Sequence, residues 1–194
     1  LEESGLDVSV EIFLERISRR KSGMKEPEEE REGNGTGRRK AEESVWQQAG
    51  ENYEAKKRDR DLYDFDDLLL KTVELIENGK AQPGWEKRFR YLLTDEFQDI
   101  NPVQYRLLCL WHRQGRELFV IGDADQSIYG FRGADAFCFE RLKKDFQDVY
   151  TVRLEENYRS SPQILASAAA VMLRPGKVLK AHCPDNVPVR VVQA

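Results

Sequence analysis

The stretch LLTDEFQD, Leu92 to Asp99, decides how this chain is read. A short apolar run from Arg90 to Thr94 breaks off into two adjacent carboxylates, Asp95 and Glu96. Such a run, bounded by polar residues, predicts a strand. Asn101 then offers an N-cap, and Pro102 takes the first helical position, where no backbone N–H is needed. A second apolar run, Leu118 to Ile121, ends at Gly122-Asp123, and a helix is expected from about Ala134 to Phe146. A third run, Val149 to Leu154, precedes Ser161-Pro162, which opens another helix by the same capping logic. Strand and helix in alternation predict βαβ units, a parallel sheet and an α/β fold. In such sheets ligands gather outside the carboxyl ends of the strands, so the three polar strand ends are where chemistry is expected.

Upstream the grammar is helical. Val8 to Arg20 places Ile12, Phe13 and Ile17 on one side of a short amphipathic helix. Lys21 to Lys40 has almost no apolar residue and is rich in glycine and charge, which predicts a mobile loop. Ala41 to Arg60 reads as helix, with Val45, Trp46, Ala49 and Tyr53 on a stripe. Another helix is expected from about Asp64, burying Phe65, Leu68, Leu69, Val73 and Ile76 and stopping at Gly79.

Composition narrows the function classes. Charged residues make up 34% of the 194, against about 25% in an average globular protein, and much of the excess lies in the first third. A net charge of -4 carries no global nucleic-acid signature, which argues against a simple coating protein but leaves room for a local basic groove. Cys109, Cys138 and Cys183 form no CxxC pair, and with only His112 and His182 beside them they do not offer four closely spaced zinc ligands. They read as reduced thiols of a cytosolic protein. No apolar run approaches a membrane span, and no signal-peptide pattern opens the chain. A start at Leu1 rather than methionine suggests a piece of a longer protein.

Each strand end carries its own chemistry. A strand-terminal Asp95 can hold Mg²⁺ directly or through water, and Glu96 beside it can orient or deprotonate an attacking water. Alone, two acids at a strand end read more readily as solvated turn residues. In IGDADQSIYGFRGA, Ile121 to Ala134, the glycines allow tight backbone, Gln126 can reach a phosphate, and Tyr129, Phe131 and Arg132 suit stacked bases and a nucleic-acid backbone. A turn whose aromatics plug the core accounts for that loop equally well. In LEENYRSSPQ, Leu154 to Gln163, Arg159 can fork onto phosphate just before a helix N-terminus, or pair with a carboxylate structurally.

Taken together, LLTDEFQD, GDADQSIYGFRGA and LEENYRS resemble motifs II, III and IV of the UvrD/Rep/PcrA helicases of superfamily 1, in that order and at these spacings. YDFDDLLL, Tyr63 to Leu70, resembles the stretch preceding motif II, and VWQQAGENYEAKKR resembles the tail of the family's accessory subdomain. The resemblance runs from about Val45 to Ala170. It implies an incomplete RecA-like, P-loop-type parallel sheet flanked by helices and preceded by helical segments of that subdomain. Residues 1–60 would be the accessory part, with the loop at 21–40. Residues 61–154 would end the first motor domain, and 155–194 would begin the second.

The resemblance also implies roles. Asp95 would hold the Mg²⁺ of Mg-ATP, with Glu96 beside it in the metal site as catalytic base. Gln98 and Asp99 would link that site to the rest of the motor. Gln126 would sense the γ-phosphate, Arg159 would contact the same phosphate, and Tyr158 would stack on the adenine. Tyr129, Phe131 and Arg132 would hold single-stranded DNA. Phe131 stands where the family commonly has Trp, and Ala124 replaces a frequent acid, Asp123 and Asp125 remaining on either side. The partners implied are single-stranded and duplex DNA, with proteins of repair or replication, in the cytoplasm and away from membranes. The polarity implied is 3′ to 5′.

No GxxxxGK[ST] occurs in the 194 residues, so the phosphate-cradling loop is expected upstream and the later motifs downstream. Val189 to Val192 reads as the first strand of the second motor domain. The isolated chain is therefore expected to hydrolyse little or no ATP. Two other readings stay open: the motor of a helicase–nuclease similar to RecB or AddA, and a non-catalytic DNA-binding or docking module.

Overall fold

Three helices of this protein begin where the chain sets a side-chain acceptor in front of them. In the computed structural model, which describes residues 8–23, 36–113, 117–127, 137–171, 179–184 and 188–190, Ser9 accepts the Ile12 N–H at the head of α1 (Val10–Lys21). Asp64 does the same for Asp67 at α3 (Phe65–Glu77), and Asn101 for Gln104 at α4 (Pro102–His112). At α3 and α4 the third helical residue reaches back to the cap N–H, closing a reciprocal capping box. Between α1 and α3 lies α2 (Thr36–Asp59). It begins inside the stretch expected to be a loop: Thr36–Lys40 is helical, and residues 24–35 lie outside the described residues. Low apolar content removed the core signal there without removing the helix propensity of a Lys- and Arg-bearing run.

The first of two compact units, Leu1–Leu142, holds these helices and a short sheet. Strand β1 (Tyr91–Thr94) lies parallel to β2 (Glu117–Val120), in the register Leu92 to Leu118 and Thr94 to Val120, with α4 as the crossover. That is the expected βαβ unit. The helix from about Ala134 is observed as α5 (Cys138–Asp145); residues 128–136 lie outside the described residues.

Two apolar clusters among the described residues join the helices of the unit. Phe13 and Ile17 of α1 pack with Ala49, Trp46 and Tyr53 of α2. Val73 of α3 packs with Val103, Leu107 and Leu110 of α4, flanked by Leu69, Leu70 and Ile76. Three residues expected inside face out instead. Ile12 is exposed because it stands one residue, about 100°, round the helix from Phe13. Leu68 stands about 140° round from Val73. Phe65, 87% exposed, occupies the first turn of α3 and packs against neither cluster.

The second unit, Lys143–Ala194, departs further from expectation. Val149 to Leu154 is not a strand, and Tyr150, Val152 and Leu154 are exposed. Strand propensity reflects packing against neighbours, and none covers this run among the described residues. The strand starts two residues later, as β3 (Glu156–Asn157), parallel to β4 (Lys180–Ala181), with α6 (Pro162–Val171) between them. Pro162 is the first helical residue, as read from the sequence. Of the run Val189 to Val192, residues 189 and 190 are not strand, and 191 and 192 lie outside the described residues. The architecture is thus α/β, rich in helix, with short parallel strands.

Candidate functional site

The end of β1 is built to hold one side chain in and put two out. Asp95 and Glu96 are exposed, while Phe97, next in sequence, is 0% exposed. Glu96 makes that turn possible by adopting a left-handed conformation, φ +48° and ψ 44°. For a residue with a Cβ this costs about 1–2 kcal/mol. The cost is offset on both sides of the kink: the Ile121 N–H donates to the Thr94 carbonyl (2.8 Å), and the Phe97 N–H donates to the Ile121 carbonyl (2.9 Å). Phe97 then packs edge-on against Phe139, ring centroids 5.2 Å apart. The Asp95 carboxylate accepts the Glu96 N–H at 2.9 Å through one oxygen.

Beneath the two acids lies Gln98, 2% exposed. Its amide nitrogen donates to the Glu96 carboxylate at 2.6 Å, and its amide oxygen accepts the Asp123 N–H at 3.0 Å. Its own carbonyl accepts the Ser127 hydroxyl at 3.3 Å. The Asp123 carboxylate in turn accepts the Asp125 N–H and the side-chain amide of Gln126, both at 3.1 Å. Glu96 and Gln126, expected at two different strand ends, therefore belong to one hydrogen-bonded cluster. Asp99 contributes a carboxylate oxygen that is buried and has no hydrogen-bond partner among the described residues. Tyr129, Phe131 and Arg132 lie outside the described residues.

In the second unit, Tyr158 and Arg159 follow β3 directly, so they do stand at a strand end, though not at the end of the predicted run. The Asn157 side chain accepts the N–H groups of Arg159 (3.1 Å) and Ser160 (2.8 Å), which turns the chain sharply and leaves Tyr158 71% exposed. One face of the Tyr158 ring is stacked by His182, centroids 4.5 Å apart and planes 15° from parallel. His182 also pairs with Glu156, whose carboxyl is held below its usual range by that imidazole and by Lys180. The Cys183 thiol donates to the Tyr158 carbonyl.

A third polar cluster ties α1, α2 and the head of α3. The Lys21 ammonium lies 2.8 Å from Glu54, 2.7 Å from Asp64 and 2.8 Å from Asp67; the Lys57 ammonium lies 3.1 Å from Glu54 and 2.7 Å from Asp64 and also bonds Asp67. The Tyr53 hydroxyl donates to Asp64 at 3.1 Å, and the Lys57 ammonium sits 4.9 Å from the centre of the Tyr53 ring. Burial alone would raise the Asp64 carboxyl, but the two ammoniums outweigh it and hold Asp64 and Asp67 well below the usual carboxylate range. Burial would likewise lower Lys57, and the same carboxylates push it well above the ordinary lysine value. Glu54, Asp64 and Asp67 could in principle hold a metal ion, but two lysines already occupy that place. Asp95 fits a magnesium ion better, as an exposed oxygen donor at a strand end with one carboxylate oxygen outside its backbone bond.

Sequence reasoning did not single out Gly122, Asn157 or His182. A Cβ on Gly122 would come within 2.5 Å of the Gln98 amide oxygen and 3.0 Å of the Phe97 nitrogen. A glycine directly after a predicted strand was the signal for such a close approach. Asn157 was legible as a turn residue two positions before Arg159. Nothing in the sequence pairs His182 with Tyr158.

Comparison with known proteins agrees with the motif reading. Residues 6–147 match the UvrD/REP helicase N-terminal domain. The ATP-dependent DNA helicase PcrA of Leuconostoc citreum is 40% identical over 121 residues, 62% of this chain and 16% of its own length. The ATP-dependent DNA helicase Rep of Salmonella typhimurium is 44% identical over 117 residues, 60% of this chain and 17% of its own. Rep of Buchnera aphidicola is 41% identical over 123 residues, 63% and 18% respectively. The chain thus spans less than a fifth of each of these relatives. Among the described residues no helix is long and apolar enough to cross a membrane. Because the domain match takes in α1 through α5 and both strand ends that carry the acidic and Gln126 clusters, the chain belongs to the UvrD/Rep helicase family.

Proposed function

We propose that this chain is part of the ATP-driven motor of a DNA helicase, in which hydrolysis drives movement along single-stranded DNA and unwinding of the duplex. Its RecA-like first motor domain would be incomplete here, with the accessory helices before it and the start of the second motor domain after it. The observation that carries this reading is the end of β1, where a left-handed Glu96 and an adjacent Asp95 are displayed outside a fully buried Phe97 and bonded through Gln98 to the Gln126 turn.

Glu96 takes the proton of the attacking water as general base. Asp95 holds magnesium, which when bound neutralises charge developing on the phosphates. Gln126 and Arg159 contact the γ-phosphate, and the adenine stacks on the face of Tyr158 that His182 leaves open. Tyr129, Phe131 and Arg132 grip single-stranded DNA by stacking and charge. Changes at the γ-phosphate then alter domain closure and the grip on DNA, with 3′ to 5′ movement, in repair or replication in the cytoplasm. The 194-residue chain by itself, lacking a GxxxxGK[ST] sequence, turns over little or no ATP.

The test is ATP hydrolysis by the full-length protein, with and without single-stranded DNA, comparing wild type with Glu96→Gln. The variant is expected to lose about 100-fold or more in kcat with ATP binding retained. A wild-type protein that binds DNA but shows no turnover would instead be a docking module carrying helicase motifs.

A further inference from the structure

We propose that His182 is a positioning residue for the nucleotide base: its imidazole backs one face of the Tyr158 ring, so that the opposite face is already set when an adenine nucleotide arrives. The inference rests on the reading of Tyr158 as the surface on which adenine stacks, and it gives β4 a part in that surface. His182 touches no phosphate and acts through Tyr158.

The register of the second sheet brings the two rings together. Glu156 lies opposite Lys180 and Asn157 opposite Ala181, and the His182 N–H continues the ladder by donating to the Asn157 carbonyl at 2.8 Å. Side chains alternate along a strand, so Glu156 and Tyr158 share a face with Lys180 and His182. On that face the Glu156 carboxylate bonds both Lys180, at 3.1 Å, and the His182 imidazole, which fixes the plane of the imidazole. The imidazole then lies against Tyr158, centroids 4.5 Å apart and planes 15° from parallel. The backbone of Tyr158 is held as well: the Cys183 thiol donates to its carbonyl at 2.8 Å, and the Asn157 side chain accepts the two N–H groups that follow. An exposed tyrosine would otherwise divide its time among staggered rotamers. A ring fixed beforehand spares an incoming base the cost of ordering it. The stack is too open to serve as core, with Tyr158 71% exposed and the His182 side chain 46% exposed. It holds a ring that still has an apolar face to offer.

The experiment measures ADP binding by calorimetry, and the KM and kcat for ATP, in the full-length protein with His182→Ala, His182→Phe and Tyr158→Ala beside wild type. Tyr158→Ala is expected to weaken ADP binding about 10-fold or more, as for loss of a stacked base. His182→Ala should weaken it about 5-fold, within the range of one aromatic pair. The loss should fall on KM for ATP and not on kcat, because a contact to the base is the same before and during reaction. His182→Phe, which keeps the stack without the bond to Glu156, should recover to within about 2-fold of wild type. Inorganic tripolyphosphate, which has phosphates but no base, should compete with ADP equally well on wild type and His182→Ala; an equal loss for both ligands would mean a general distortion and overturn the proposal. Tighter ADP binding in His182→Ala would overturn it too, because the imidazole would then occupy the face that the base needs. If His182→Ala does not fold, Glu156→Ala, which frees the imidazole to turn away, is read the same way with about a 3-fold loss expected. A loss in Tyr158→Ala with none in His182→Ala overturns only the role of His182. No loss in either, or no ADP binding by wild type, overturns the reading of Tyr158 and the inference with it. A wild type that binds ADP but turns over no ATP overturns the helicase reading, and a 5-fold loss in His182→Ala still supports the inference.

Discussion

The unit Leu1–Leu142 contains two polar hubs made in opposite ways. Where α1, α2 and α3 meet, two ammoniums and three carboxylates are pressed together, joining Lys21 to Asp64 across 43 positions of sequence. Where β1 and β2 end, a single neutral amide joins Glu96 to Asp123, with Gln98 and Asp123 25 positions apart. Both hold distant segments in register, but the currency differs. Charge gives the helical hub strength and tolerates small errors in position, since each ammonium can choose among three acceptors. The amide is weaker and admits one geometry. A lysine in its place would also bind, but a cation against a carboxylate stabilises the charged form and makes it a poorer base. Charge suits the place that must only be held, and the amide suits the place proposed to carry the reaction.

The largest effect that would break this comparison is on stability. Lys57→Met should destabilise the chain by about 3 kcal/mol, the low end for removing one partner of a buried ion pair, read from the denaturant midpoint. Gln98→Met should cost less, about 1–2 kcal/mol, while its main effect falls on turnover. If Lys57→Met were the milder of the two, the assignment of strength to the ionic hub would be wrong.

Acid distinguishes the hubs next. Burial opposes ionisation of Asp64 and Asp67, but the lysines more than compensate, so both carboxyls titrate below their unfolded values. A carboxyl lowered on folding contributes stability above its unfolded value, near pH 4, and loses it as pH falls toward the folded one. Lys21 and Lys57 are raised on folding, so their contribution persists to the ordinary lysine value near 10.4 and is lost only above it. Thermal melts should therefore be level between about pH 5 and 9 and decline from about pH 4 downward. The decline should be shallower in Lys57→Met and unaltered in Gln98→Met. An unaltered decline in Lys57→Met would mean that carboxylates elsewhere control acid unfolding.

What could be read from sequence follows the same division. Caps such as Asn101-Pro102 and the βαβ order around α4 were legible because their signals are local. The positions of Asp95, Glu96 and Gln126 were legible because strand ends are marked by abrupt changes from apolar to polar. The run Val149 to Leu154 misled because its apolar residues resemble a buried strand, whereas pairing falls on Glu156-Asn157, whose polar side chains give no strand signal. Phe65 misled for a related reason: helical periodicity names a face but not what stands opposite it. The helical hub was not visible, since Lys21, Lys57 and Asp64 look like ordinary solvated charges until α1, α2 and α3 converge. The link between Glu96 and Gln126 needed the register of β1 on β2 before Gln98 could span it.

The smallest predicted effect is the sharpest control on the argument from burial. Arg106 of α4 forks onto Glu77 of α3 with two bonds of 2.7 Å and 2.6 Å, a better geometry than any single contact in the ionic hub. Its side chain is 62% exposed, however, against 10% for Lys57. Water already solvates both partners of the fork in the unfolded chain and much of them in the folded one, so forming it gains little. Arg106→Met should cost only about 0.5 kcal/mol, and 1 M salt should erase even that, because exposed pairs are screened within about 3 Å at that ionic strength. Lys57→Met should keep most of its effect in the same salt. Equal costs for the two substitutions, or equal loss of both in salt, would show that bond geometry rather than burial sets the strength of the helical hub.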